Sequence, residues 1–210
     1  MLKIDRDSKS KYIIPETFEP IKFDELRPAD AILVYGGNWL TQLHGTSRRA
    51  EFPRVSKASM VPTHALMFIS IPYITLDPTI KTDLGDLRHY TSQKNSRIDI
   101  IRYNLTIEQQ VTVQQEALFL AQKERRYDVG GYGAFLSQMP GCSWAIKFIK
   151  PSQKFMFCSD ACTYLYEEKA GFQMSATEHD YTAPIDMLIY LLNHQEIGEI
   201  RTLKRRGEVV

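Results

Sequence analysis

Cysteine is scarce in this chain of 210 residues: three in all, Cys142, Cys158 and Cys162. So small and odd a number excludes a disulfide framework. Cys158 and Cys162 stand one helical turn apart, where a bridge between them would be strained. Their C-x3-C spacing has no second ligand pair, so a zinc site is not expected. Long apolar runs are missing as well. Nothing approaches the roughly 18 uninterrupted residues of a spanning helix, and the N-terminus, Met1-Leu-Lys-Ile-Asp-Arg, has no apolar signal core. Nor is there an excess of one charge: Lys and Arg number 26 against 25 Asp and Glu. That balance argues against a nucleic-acid partner. The glycine-rich stretch after Tyr127 matches neither phosphate-cradle pattern, G-x-x-x-x-G-K-[ST] or G-x-G-x-x-G. The expectations are reduced thiols, no metal, no cofactor, no transmembrane segment, and a cytoplasmic or otherwise unspecified location.

What is present is an ordinary globular composition, 43% apolar and 24% charged. It is long enough to bury one substantial core without staples. Residues 1–25 read as a polar, poorly fixed arm, 26–203 as a single domain, and 204–210 as a basic tail. β-rich runs fall at Asp30–Tyr35, Ala65–Ser70, Tyr73–Leu76, Arg97–Tyr103 and Ile197–Leu203. The alternation in Arg97-Ile-Asp-Ile-Ile-Arg-Tyr predicts a half-buried strand. Thr106-Ile-Glu-Gln109 is a capping-box pattern opening a long helix to about Arg125, with Val113, Ala117, Leu120 and Ala121 as its apolar stripe. A second helix begins at Cys158 and stops at Gly171; a third opens on Pro184. Asn38–His44 reads as a short helix, followed by a basic, solvated loop with Arg48, Arg49, Arg54 and Lys57. Strands joined mostly without crossover helices predict an α+β domain with an antiparallel sheet.

The chemistry concentrates at Phe155-Met-Phe-Cys158-Ser-Asp-Ala-Cys162. Here a thiol sits between an apolar run and the first turn of a helix. Unpaired N–H groups and the positive end of the helix dipole favour a thiolate at that position. Val61-Pro-Thr-His64-Ala-Leu-Met offers an imidazole on the lip of another apolar strand. Cysteine catalysis needs a thiolate, an imidazole to hold and return the proton, and donors for an oxyanion. A third polar group usually orients the ring. Asp77, at the end of the strand after that of His64, is best placed; Asp83, Asp86 and His89 are the alternatives. Against this stands the commoner role of a lone cysteine as a packing residue. Cys162 is assigned to the core, Cys142 is incidental, and His44, His89, His179 and His194 have no evident partners.

In these motifs the chain resembles the circularly permuted branch of the papain-like NlpC/P60 superfamily, particularly its YiiX-like or YebB-like bacterial group. More distantly, it is similar to the lecithin:retinol acyltransferase group. The likeness runs over residues 26–203. It rests on Leu26-Arg-Pro-Ala-Asp30-Ala-Ile-Leu, Thr63-His64-Ala-Leu-Met, Ile74-Thr-Leu-Asp77, Tyr127-Asp128, Phe157-Cys158-Ser159-Asp160 and Thr182-Ala-Pro184-Ile-Asp186-Met-Leu, in that order. Histidine precedes cysteine, as in the permuted branch. The entry motif departs from the family's usual Gly-Asp, reading Ala29-Asp30.

The resemblance implies a small antiparallel sheet or half-barrel packed against helices, one of which carries the nucleophile. It implies Cys158 as nucleophile, His64 as general base and then acid, and Asp77 as orienting residue. Tyr127 and Tyr132 are candidate substrate-binding residues. The leading expectation is a cysteine hydrolase cleaving an amide bond in a peptidoglycan-type or peptide-like substrate. The alternatives are a lipid acyltransferase or phospholipid or thioester hydrolase on the same scaffold, or a catalytically idle binding protein.

Overall fold

The computed structural model describes residues 5–7, 11–36, 55–56, 59–78, 82–123, 126–127, 155–156, 158–176 and 182–208. In chain order the elements begin with β1 (Asp5–Arg6), β2 (Tyr12–Ile13), β3 (Glu19–Pro20), β4 (Ala31–Tyr35), β5 (Pro62–Ser70), β6 (Ile74–Pro78) and β7 (Thr82–Asp86). There follow α1 (Arg88–Thr91), β8 (Arg97–Tyr103), α2 (Ile107–Gln122), β9 (Arg126–Tyr127) and β10 (Phe155–Met156). Helix α3 (Cys158–Thr163) widens into a π segment over Tyr164–Lys169, and α4 (Pro184–Asn193) and β11 (Gly198–Lys204) close the series. The expected helix over 38–44, the basic loop with Arg48, Arg49, Arg54 and Lys57, most of the glycine-rich stretch with Tyr132, and Cys142 lie outside the described residues.

Seven strands form one sheet in the order β3-β11-β8-β4-β5-β6-β7. Every neighbouring pair is antiparallel except β3 with β11, so the domain is α+β with a mostly antiparallel sheet. Its middle strand, β4, is buried at all five positions, because both faces of the sheet are covered. On one face Leu33, Ala65, Met67 and Ile101 pack with Val113, Ala117, Leu120, Leu165 and Leu188 from the helices. On the other face Ile32, Val34, Leu66, Phe68, Ile98 and Ile100 meet Ile21, Leu26 and Leu87.

The helix signals hold. Thr106 Oγ1 accepts from Gln109 N at 3.2 Å while Gln109 Oε1 accepts from Thr106 N at 2.9 Å, a reciprocal capping box. The stripe of Val113, Ala117, Leu120 and Ala121 is buried. Pro184 opens α4, and Asp186 Oδ2 accepts from Ala183 N at 2.9 Å. Gly171 has φ of +64°, the left-handed conformation of a helix stop.

Two expectations are revised, for one shared reason. The described part of residues 1–25 is fixed to the domain, with Tyr12, Ile14, Phe18 and Ile21 buried. Phe18 N donates to Thr202 Oγ1 at 2.7 Å, and Glu19–Pro20 adds a parallel edge to β11. That segment covers the polar side of β8, so the strand read as half buried is closed on both faces. Arg97 and Asp99 are thereby shut inside, and they pair with each other, with Arg97 Nη2 donating to Asp99 Oδ2 at 2.6 Å. The basic tail is likewise not free at its first residue. Lys204 ends β11 fully buried, its Nζ donating to the carbonyls of Gln93 and Ser96 at 2.8 Å each.

Candidate active site

β5 is irregular where it matters. Its pairing with β4 shifts between Val34 opposite His64 and Tyr35 opposite Pro62, leaving Thr63 as an extra residue beside the imidazole. Such bulges bend a strand and re-aim the neighbouring side chain. On its other edge the β5–β6 ladder ends at Met67 opposite Leu76. His64 and Asp77 lie just beyond that last pair, so they meet through side chains: His64 Nε2 is 2.8 Å from Asp77 Oδ1. The two are only 17% and 14% exposed. The second carboxylate oxygen, Asp77 Oδ2, accepts from the Tyr90 hydroxyl at 2.8 Å.

Cys158 is the first residue of α3, which packs across β5. Cys158 is 5% exposed, and the charge and hydrogen bonding of the His64 side chain act on its thiol. Burial opposes a charge on the sulfur. The His64 charge and hydrogen bond, with backbone N–H groups of Ala65 and Ser159, outweigh it and lower the Cys158 pKa below its ordinary 9.0. For His64, burial acts against the cation, but the charge of Cys158 and the hydrogen bonds to Asp77 and Cys158 raise its pKa from 6.5 to about 10. Both shifts favour the thiolate–imidazolium form of the pair over the neutral one. One turn further on, Cys162 is also buried, and burial, with the charges of Cys158 and Asp160, raises its pKa. Its sulfur donates weakly to the Leu66 carbonyl at 3.9 Å.

Supporting bonds tie the cysteine helix to the other motifs. Ser159 Oγ, next to the thiol, donates to the Thr182 carbonyl, and Thr182 Oγ1 lies 3.1 Å from Ser175 Oγ. The Tyr166 hydroxyl donates to the Ala29 carbonyl, linking the π segment to the entry of β4. Ala29 has φ of +66°, a conformation that suits glycine. Asp30 holds that turn: it accepts from Arg27 N at 2.8 Å and from Arg102 Nε and Nη2 at 2.9 and 2.7 Å.

Among the alternative orienting residues, Asp83 stands opposite Asp77 on β7 and accepts from Leu84 N. Asp86 binds Arg88, with which it forms an exposed pair at 2.5 Å, and His89 packs edge-on against Tyr90. None of these contacts His64. His194 Nδ1 lies 2.9 Å from the carbonyl of Tyr190 on α4. Tyr127 pairs through its backbone with Met156 on β10, the strand leading into Cys158; its side chain is outside the described residues. Among the described residues no cluster of three His, Cys, Asp or Glu side chains could hold a metal ion, and no helix is long and apolar enough to cross a membrane. A cavity of about 560 Å³ lies elsewhere, between α4 and β11, lined by Leu191, Leu192, Glu196 and Ile200 among others.

Two residues of the site carry no motif. Tyr90 sits in the one-turn helix α1, and only its spacing beyond the strand of Asp77 hints at proximity. Gly85 is the other. A Cβ there would lie 2.7 Å from Asp77 Cβ and 3.1 Å from Thr75 Oγ1, so glycine is what lets β7 approach the carboxylate.

Comparison of the chain with family models, curated proteins and solved structures gives no match.

Proposed function

We propose that this protein is a cysteine hydrolase of the permuted papain-like kind, cleaving an amide bond in a peptide-like substrate, such as a cell-wall peptide, through a thioester on Cys158. The observation that carries the reading is the grouping of Cys158, His64 and Asp77 from a helix start and two strands: Asp77 Oδ1 lies 2.8 Å from His64 Nε2, and the His64 charge acts on the Cys158 thiol. The Ala29 conformation adds to it: the one departure in the entry motif falls where the backbone favours the family's glycine.

The thiolate attacks the carbonyl carbon, forming a C–S bond as the π pair moves to oxygen. The backbone N–H of Cys158, at the helix start and without an intrahelical acceptor, is the donor we assign to that oxyanion. Collapse breaks the C–N bond, and the His64 imidazolium gives its proton to the departing amine. Water then adds to the thioester with neutral His64 taking its proton; the C–S bond breaks, releasing the acid and restoring thiolate and imidazolium. Asp77 holds the ring in the tautomer that leaves Nδ1 for the sulfur.

The pH dependence follows from the two shifts. Turnover rises as pH climbs through the lowered Cys158 pKa and falls above the His64 value of about 10, where the acid for the leaving amine is lost. The test is amine release from peptidoglycan-derived peptides, with the acyl adduct located by mass spectrometry. Cys158→Ala should abolish turnover by at least about 10⁴-fold while leaving thermal unfolding in place. Turnover that survives in this variant overturns the mechanism. Acyl-chain esters run in parallel: transfer from them to an amine or alcohol acceptor, with peptides untouched, moves the assignment to an acyltransferase.

A further inference from the structure

We propose that Tyr90 is a fourth member of the site, a positioning residue whose hydroxyl locks the Asp77 carboxylate in the one orientation that serves His64. The inference rests on the cysteine-hydrolase reading above. Asp77 divides its oxygens between two partners, Oδ1 to His64 Nε2 and Oδ2 to the Tyr90 hydroxyl, each at 2.8 Å. A carboxylate with one partner can turn about its terminal torsion, which is broad and roughly two-fold. With both oxygens engaged, any such turn breaks a hydrogen bond in a partly desolvated place. The hydroxyl stays protonated and hence a donor, because burial and then the Asp77 charge raise its pKa.

Tyr90 is itself held in place. Its carbonyl accepts from Ser96 Oγ at 2.7 Å, and Ser96 Oγ accepts in turn from the buried Lys204 Nζ at 3.2 Å. Its N–H donates to the carbonyl of fully buried Leu87 at 3.0 Å, and the Leu87 N–H donates to the Tyr73 carbonyl. A line of fixed contacts thus runs from the last strand of the sheet to the carboxylate. The Tyr90 ring also lies 5.8 Å from that of His64, tilted by 39°, and flanks the imidazole. A Cβ at Gly85 would lie 2.7 Å from Asp77 Cβ and 3.0 Å from Oδ2, so the glycine leaves room for this carboxylate. Tyr90 bonds the carboxylate, and the influence we assign to its hydroxyl on Cys158 runs through Asp77 and His64.

The experiment follows iodoacetamide alkylation of Cys158 from pH 4 to 9, located by mass spectrometry, in the wild type, Tyr90→Phe, Asp77→Ala and the double variant. Tyr90→Phe deletes one oxygen and keeps the ring; thermal unfolding of each variant confirms that it folds. The other charged groups around Asp77, namely Asp83 opposite it and the Asp86, Arg88 and His89 side chains beside α1, are unchanged. The expected result is an inflection raised by about one unit in Tyr90→Phe, lowering the rate well below the inflection about tenfold. In the Asp77→Ala background the same substitution should have no further effect. An unmoved inflection in Tyr90→Phe, or an undiminished shift in the double variant, overturns the role of Tyr90 alone. A wild-type Cys158 that titrates like an ordinary thiol overturns the hydrolase reading, and this inference with it.

Discussion

Two carboxylates on one sheet, half-buried Asp77 and buried Asp99, meet opposite fates. Asp99 on β8 is fully buried and receives two hydrogen bonds from Arg97, at 3.1 and 2.6 Å, and one from Thr202 Oγ1 at 2.8 Å. Its partner is a guanidinium that stays charged at any ordinary pH. Arg97 spends its remaining donor on the Pro15 carbonyl and lies over the Tyr35 ring, 4.4 Å from its centroid. Nothing in that cluster can gain or lose a proton usefully. Asp77 also has two partners, but one is an imidazole that interacts with the Cys158 thiol as well. One carboxylate faces a permanent cation and the other a group that titrates.

Removing the cation should break that comparison most forcefully. Arg97→Met leaves Asp99 buried and uncompensated, at a cost of about 3–5 kcal/mol of stability read from a denaturant midpoint. The inflection of Cys158 alkylation should not move. Arg97→Met with Asp99→Leu should recover most of the loss, because a packed apolar pair can replace a buried ion pair. If the proposed mechanism holds, an apolar pair in place of His64 and Asp77 should abolish turnover. A shifted Cys158 inflection in Arg97→Met would show that the two carboxylates are coupled after all.

A smaller effect is expected from Gly85→Ala. Its new methyl would overlap Asp77 Cβ, and the resulting displacement should cost about 1–3 kcal/mol. It should also raise the Cys158 inflection, as no overpacking near Asp99 does. Wild-type alkylation in a folded Gly85→Ala protein would mean that the carboxylate position is not critical. The smallest effect belongs to Ala29→Gly. It relieves a left-handed alanine and should add about 0.5–1 kcal/mol, seen as a rise of about 1–4 °C in Tm. Thiol reactivity should be unaltered, since Ala29 touches the site only through the Tyr166 bond to its carbonyl.

Local signals were readable where the interacting residues are neighbours in the chain. The Thr106–Gln109 box, Pro184 at its helix start and Gly171 at its helix stop each rely on partners a few residues away. The same holds for Cys158, since a thiol at a helix start is a local fact. Alternation misled in β8 because polar Arg97 and Asp99 satisfy each other behind a cover of Phe18. The polar character of residues 1–25 hid that cover, since its few apolar side chains are diluted among charges. The sequence already favoured Asp77 over Asp83, Asp86 and His89 as the strand-end residue after His64, but the 2.8 Å approach of its Oδ1 to His64 Nε2 depends on how β5 and β6 pair.

The order of residues alone determined the α+β class, the helix ends marked by caps and the place of Cys158 at a helix start, because capping, periodicity and turn chemistry act within a few residues. Tertiary structure alone decided that the ladder between β5 and β6 stops at Leu76, that Tyr90 reaches the second oxygen of Asp77, and that Arg97 and Asp99 are enclosed. Each of those depends on where distant strands end and what covers them. Hydrogen bonds and burial of that kind are properties of packed neighbours, and sequence spacing does not encode them.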